Sequence, residues 1–401
     1  MKILIKIILI IQIIFPYVSS DVSGNNGVVV SSKMHASDIG ISIMKNGGNA
    51  IDAAIGVCFA LAVTHPSAGN IGGGGFMVIN FENGSSTAID FREVAPLNSK
   101  ENMFQDEEGN VIDGLSTSSI LSVGVPGTVA GMGYIHEKYA TLPWDQLLYP
   151  AFLLAKYGFE LDQHNHYLFN NLSLIDKLSK DEETRKIFIE NKIYSLNDLI
   201  VQPDLAKTLL RISKHGYKEF YFGQTADNII SCMNRKNGII TYEDLASYEV
   251  QELEPIKFQY RDYNIISMPP SSSGGITLAI ILNQLENLDF SQIMFQDYNH
   301  VHFLSEISKL AYVDRYKHLG DINFVDVPLY YLSSQNYADS LFASINDSLS
   351  ISSSDLLESI KITNNESEET THYSIIDKFG NCVSVTTTLN GWFGSGITVD
   401  D

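Results

Sequence analysis

Threonine is the residue to start from. The run Thr370-Thr371-His372-Tyr373-Ser374-Ile375-Ile376-Asp377 is followed by Lys378-Phe379-Gly380, and a second run from Asn381 to Asn390 carries Thr386-Thr387-Thr388. Both runs have the period of strands, and a three-residue loop with glycine last suits a type I turn closed by a left-handed residue. In such a hairpin Asp377 pairs with Asn381, and counting back at constant sum sets Thr370 opposite Thr388. Directly opposed side chains stand about 4.5–5.5 Å apart at Cβ and share a face. Period two adds Thr386 and Asn390 to that face. Thr370, Thr388 and Asn390 therefore bring two hydroxyls and an amide together at one strand end.

A threonine hydroxyl is a poor nucleophile unless a base lies within hydrogen-bond reach. Cutting the chain before Thr370 would supply one, because a freed α-amine with a pKa of about 7.7–8.0 is matched to neutral pH. The preceding stretch, 348–369, is rich in Ser, Asn and Glu and reads as an exposed, mobile linker that can accommodate a cut. The competing reading is a Thr-rich surface hairpin, since threonine favours strands.

The elements that must hold this hairpin are legible upstream. Residues 28–30 read as a buried strand. A helix over 36–45 closes at Gly47-Gly48, and Asn49 caps a second helix over 50–64, stopped by Pro66. The second helix is apolar almost all round, which at this length means burial in a core. Four glycines, 72–75, lead into a strand over 76–80 with a partner near 87–91; their role is close backbone packing, because no Gly-Lys-Ser/Thr follows to make a phosphate loop. From about 130 to 320 the pattern is mostly helical, with apolar residues three and four apart at 152–155, 205–212 and 276–285. Residues 269–275, Pro-Pro-Ser-Ser-Ser-Gly-Gly, read as a loop. The class is α+β.

These segments together resemble the γ-glutamyltransferase family of N-terminal-nucleophile hydrolases. The resemblance rests on Gly47-Gly48-Asn49-Ala50-Ile51-Asp52-Ala53-Ala54, Ile71-Gly72-Gly73-Gly74-Gly75-Phe76-Met77 and Asp90-Phe91-Arg92-Glu93-Val94-Ala95-Pro96. It continues through Gly124-Val125-Pro126-Gly127-Thr128-Val129-Ala130-Gly131, the 269–275 loop, Thr370-Thr371-His372-Tyr373-Ser374 and Phe393-Gly394-Ser395-Gly396, all in order over about 27–398.

The resemblance implies a four-layer αββα sandwich, with 27–369 as a large-subunit region and 370–401 as the start of a small, catalytic subunit from the same precursor. The Glu369–Thr370 bond would be cut autocatalytically. Thr370 would take the γ-glutamyl group of glutathione or another γ-glutamyl compound as an ester, then pass it to water or to an amino-acid or dipeptide acceptor. Thr388 would hydrogen-bond Thr370, Asn390 would contact the amino-acid end of the substrate, and Arg92 would hold its α-carboxylate. A guanidinium fork fits a carboxylate in two places; read alone, Arg92 is a surface partner of Glu93 or Asp90. No metal or organic cofactor is implied.

The family pattern continues past Asp401 with an acidic amine-binding residue, a serine pair and a glycine pair, so the sandwich is expected to be incomplete at the C-terminus and the chain a truncated product. Losing even one oxyanion donor typically lowers turnover by roughly 10²–10³. The alternative function is that of an unprocessed, inactive relative that binds or decoys.

Composition bounds the rest. With 401 residues, 44% hydrophobic and 10% aromatic, the chain is globular; 47 acidic residues against 26 Lys+Arg give −21, a surface that repels nucleic acid. Residues 1–20, with Lys2 and Lys6 around a short apolar run, read as a signal peptide or signal anchor, making the protein secreted or held at the extracellular face of the plasma membrane. Asn83, Asn171, Asn346 and Asn365 lie in Asn-x-Ser glycosylation sequons. Cys58, Cys232 and Cys382 make an odd count with no disulfide framework, Cys58 reading as a core residue. His164/His166 and His300/His302 are pairs without a third metal ligand at a plausible spacing, so no metal site is assigned.

Overall fold

The computed structural model describes residues 23–189, 193–357 and 369–400. The N-terminal segment 1–20, sequon Asn365 and the 358–368 part of the linker lie outside the described residues.

The chain enters as strand β1 (Gly27–Val30), then folds into helices α1 (Met34–Lys45) and α2 (Ala50–Thr64). Asn49 caps α2 with its side-chain oxygen on the Ile51 and Asp52 amides, and Asp52 returns a bond to the Asn49 amide, closing a capping box. Every residue of α2 is buried, as its all-round apolar pattern requires. Glycine lets α1 approach so closely: a Cβ on Gly56 would lie 2.2 Å from the Ile43 Cδ1.

Strands β2 (Gly74–Asn80) and β3 (Ser86–Asp90) follow, then helix α3 (Thr128–Tyr139). Helices at Trp144–Tyr157, Pro203–His215 and Gln224–Lys236 build the helical middle. Strand β4 (Gln251–Leu253), the hairpin β5 (Ile256–Tyr260) and β6 (Tyr263–Ser267), and helices α4 (Gly274–Leu285) and α5 (Tyr298–His318) come next. The last pair is β7 (Thr371–Asp377) and β8 (Cys382–Thr388).

Six strands form one sheet in the order β1-β7-β8-β2-β3-β4, with antiparallel neighbours throughout. Helices α1 and α2 back one face, where Tyr373, Ile375, Val383, Val385, Met77 and Ile79 are buried in the main core. Beside the opposite face of β2 lies the separate β5–β6 sheet, backed by α4 and then α5 around a small core of Ile276, Ile280, Ala311, Val327 and Leu332. The layers thus run helix, sheet, sheet, helix; the second sheet has two strands among the described residues.

The observed register keeps the constant sum of the predicted hairpin, from Cys382 opposite Ile376 to Thr387 opposite Thr371, and Gly380 takes the expected left-handed φ of 97°. Asp377 fastens the hairpin to the positive end of α2: one carboxylate oxygen accepts from the Ala50 amide at 3.0 Å, the other from the Phe379 and Asn381 amides.

Four expectations need correction. Strand β1 is an edge strand, with Val29 buried but Val30 60% exposed, because β7 flanks it on one side only. Gly274 and Gly275 of the predicted loop open α4. The linker is not loose at its start: buried Glu306 accepts from the Ser350 hydroxyl at 2.7 Å and the Ile351 amide at 2.9 Å, and 353–357 form a helical turn. Finally, β8 ends at Thr388, so Asn390 does not share a strand face with Thr386 and Thr388. Asn390 sits at a φ of 71°, in a reversal held by Lys177, whose ammonium donates to the Trp392 and Gly394 carbonyls at 2.9 and 2.6 Å.

Candidate active site

Thr370, Thr386 and Thr388 line a cavity of about 560 Å³ between the two sheets, together with His372, Arg92 and the start of α4. Gly75 of β2 lines it, and Gly73, just before β2, packs against the same neighbouring strand, each where a side chain would not fit. A Cβ at Gly75 would fall 2.3 Å from the Thr386 carbonyl, and one at Gly73 equally close to the Thr388 carbonyl.

The Thr388 hydroxyl makes the decisive contact. It donates to the Glu369 carbonyl at 2.7 Å and accepts from the Asn390 amide at 2.8 Å. A hydroxyl has one proton. That proton is therefore on the carbonyl of the bond expected to break, and is not directed at Thr370.

Asn70 anchors the strand end beneath. Its side-chain amide donates to the Thr387 hydroxyl and the Thr388 carbonyl, each at 3.0 Å, while its oxygen accepts from the Gly73 amide at 2.9 Å and the Thr128 hydroxyl at 2.7 Å. All of this is buried. Sequence reasoning missed Asn70, for an Asn between Gly69 and Ile71 carries no local signature of such a role. It also missed His372, although period two places that residue beside Thr370. The His372 ring lies 2.9 Å from the Thr386 hydroxyl and 3.1 Å from the Ser374 hydroxyl, and partial burial lowers its pKa.

Arg92 borders this cavity and a second one of about 580 Å³, lined by Asn390 and by apolar groups such as Val123, Phe188 and Phe393. Its guanidinium donates to Glu93 at 2.8 Å through Nη2 and 3.3 Å through Nε, and lies 5.5 Å over the Phe76 ring. Burial works against the cation, but Glu93 and Asp90 outweigh it and raise its pKa. The ion pair with Glu93 is thus the resting state of Arg92. Thr370, Thr388 and Arg92 come together in the first cavity; Asn390 meets Arg92 in the second.

Other candidates disperse. His302 contacts the Asn346 carbonyl at 2.7 Å, the His300 ring accepts from the Gln296 amide, and His164 packs against His65. No group of three or more His, Cys, Asp or Glu that could hold a metal occurs among the described residues. Cys58 and Cys232 are buried and Cys382 is half-buried, all three unpaired. No described helix is long and apolar enough to cross a membrane.

A nucleophile candidate at the N-terminal end of a central strand, between two sheets, is the arrangement of an N-terminal-nucleophile hydrolase. The Gamma-glutamyltranspeptidase family model matches residues 36–401, and the chain belongs to that family. It is 44% identical over 382 residues to a glutathione hydrolase proenzyme of Pseudomonas sp. (strain A14), covering 94% of this chain and 65% of the relative. To the glutathione hydrolase proenzyme of Escherichia coli (strain K12) it is 44% identical over 383 residues, covering 95% and 65%. Among solved structures, the γ-glutamyltranspeptidase of Helicobacter pylori superposes with a TM-score of 0.79 at 42% identity, over 87% of this chain and 100% of that one. The chain thus spans about two thirds of the length of these curated relatives.

Proposed function

We propose that this protein cuts itself between Glu369 and Thr370 and then uses Thr370 to hydrolyse or transfer the γ-glutamyl group of glutathione and related compounds. The observation that carries the reading is the Thr388 hydroxyl on the Glu369 carbonyl at 2.7 Å. Attack of the Thr370 hydroxyl oxygen on that carbonyl carbon puts negative charge on an oxygen that already has a donor. Collapse breaks the Glu369–Thr370 C–N bond, the nitrogen takes up a proton, and an ester joins Glu369 to the Thr370 oxygen. Water then cleaves the ester, leaving a Glu369 carboxylate and a Thr370 α-amine.

In catalysis that amine takes the Thr370 hydroxyl proton as the oxygen attacks the γ-carbonyl of the substrate. The amine of the leaving peptide departs protonated, and water or an amino-group acceptor opens the ester. Arg92 would exchange Glu93 for the substrate α-carboxylate, and Asn390, at the adjoining cavity, would contact the amino-acid end. The glutathione hydrolase relatives support this substrate class.

The N-terminal segment supports export to the cell exterior or its surface. Asn83 and Asn346 are exposed and Asn171 is half-buried, each with its side-chain oxygen held by nearby residues, so their nitrogens are the candidates for glycan attachment. N-terminal sequencing of the purified chain tests the central step. A species beginning Thr-Thr-His-Tyr, absent from Thr370→Ala, is the expected result; a chain that stays whole under native conditions overturns the reading. Release of the amine from a γ-glutamyl anilide tests the second step.

A further inference from the structure

Cutting before Thr370 turns the first residue of the catalytic strand into a chain end, and chain ends fray. The pairing of β7 makes this acute. Strand β1 pairs with β7 only from Ser374 to Asp377, where Val30 meets Ser374 and Gly27 meets Asp377. Thr371, His372 and Tyr373 therefore have a strand partner on the β8 side alone. The residue joined directly to the nucleophile lies in the half-paired part of the strand.

The place β1 vacates is taken by the turn 31–33, which reaches Thr371 with a side chain. The Ser32 hydroxyl lies 2.9 Å from the Thr371 hydroxyl. Thr371 is 3% exposed and faces the core, so this contact comes from beneath the sheet, opposite the cavity. The turn is itself rigidly tied. Ser31 donates to the Lys33 carbonyl at 2.9 Å and shares a hydrogen bond with Ser37 at 2.8 Å. The Lys33 ammonium, 4% exposed, reaches Asp162 at 2.7 Å and Asn165 at 3.1 Å. Asn165 in turn donates to the Thr64 carbonyl at the end of α2. Asp162 is 45% exposed, so the pair adds little net stability, but removing it would strand the buried Lys33 ammonium, and the contact therefore fixes geometry.

We propose that Ser32, anchored through Lys33, is a positioning residue for the nucleophile: it holds Thr371 in register after the cut, so that Thr370 stays where its hydroxyl can react. The proposal rests on the reading of function given above. Before the cut the chain on both sides of Thr370 restrains it, and Ser32 matters little. Afterwards the Ser32–Thr371 bond replaces part of the lost restraint, and reacting groups misplaced by even 1 Å lose much of their rate.

The test compares the full chain with Ser32→Ala, Ser32→Thr, Thr371→Val and the double variant Ser32→Ala/Thr371→Val. Each is followed by N-terminal sequencing, by kcat and KM for amine release from a γ-glutamyl anilide, and by hydrogen exchange of peptides covering 371–374 in the cut protein. Ser32→Ala should still yield the Thr370 N-terminus. Its kcat should fall about fivefold, the worth of one hydrogen bond, with KM unchanged and exchange at 371–374 faster by a similar factor. Ser32→Thr should restore both, and the double variant should be no worse than either single one. A cut Ser32→Ala protein with wild-type exchange and kcat overturns the inference while leaving the function standing. Absence of a Thr370 N-terminus from the wild-type chain overturns both.

Discussion

Replacing Thr388 by valine isolates the donor on the Glu369 carbonyl. The two side chains have nearly the same volume, so the substitution deletes one hydroxyl from a residue that is 7% exposed and leaves the packing in place. Two bonds are lost: the 2.7 Å bond to the Glu369 carbonyl and the 2.8 Å bond from the Asn390 amide. The second affects stability. Asn390 is exposed and water can replace the acceptor, so the loss should be about 1 kcal/mol. The first affects rate, because the carbonyl oxygen gains charge as Thr370 attacks and its donor then binds it more strongly than in the resting peptide. Removing one such donor typically slows a reaction by roughly 10²–10³. The resting bond is already made at 2.7 Å, and the part of its strength present in the ground state does not speed the step; the lower end, about 10², is therefore expected. The assay follows conversion of the single chain into two pieces by intact mass at fixed pH, with a melting curve showing that the variant is folded. Thr388→Ser, which keeps the hydroxyl, should cleave within a few-fold of wild type. A folded Thr388→Val chain that cleaves at the wild-type rate would refute the assignment of this donor.

Other outcomes follow from the same geometry. Arg92→Lys replaces a fork by a point charge and should raise KM for a γ-glutamyl anilide about tenfold with kcat little altered; a pure kcat effect would remove Arg92 from carboxylate binding. Titration with a thiol reagent should find one reactive cysteine, Cys382, in the native protein and three after denaturation, because burial shields Cys58 and Cys232 and pushes the Cys58 thiol up to about 12. Burial, with Lys33 adding repulsion, pushes the His65 imidazole down to about 3 from an ordinary 6.5. The unfolded chain therefore takes up that proton first as pH falls. Stability should be full above about pH 6.5 and decline toward pH 3 by up to roughly 1.4 kcal/mol per unit, a slope that urea midpoints should show reduced in His65→Asn.

The hairpin was readable because two local rules agree on it. Gly380 fixes the turn, and period two then fixes which residues oppose one another. Helix α2 was readable for a similar reason, since Asn49 supplies a cap ahead of a run with no polar face. What escaped depends on distant partners. The path beyond β8 is tied by Lys177 on the Trp392 and Gly394 carbonyls, a contact spanning more than two hundred positions that no window on the sequence contains. The anchoring of the linker needs Glu306, and the strand end needs Asn70; each is one polar residue whose partners become neighbours only in the folded chain. The direction of the Thr388 proton is of this kind too. Pairing places Thr388 opposite Thr370, but the choice between hydroxyl and carbonyl as its acceptor is made by the path of Glu369.

Strands β7 and β8 sit inside the sheet, with β1 on one flank and β2, β3 and β4 on the other, and all four of those precede the proposed Glu369–Thr370 cut. A piece that begins at Thr370 would thus be woven between two parts of its partner, and sliding it out would open two seams at once. Scission should therefore yield an inseparable heterodimer that melts in a single transition. It also sets an order of events: the weave must be complete before the bond is broken, because afterwards no covalent link remains to bring the two pieces back to each other.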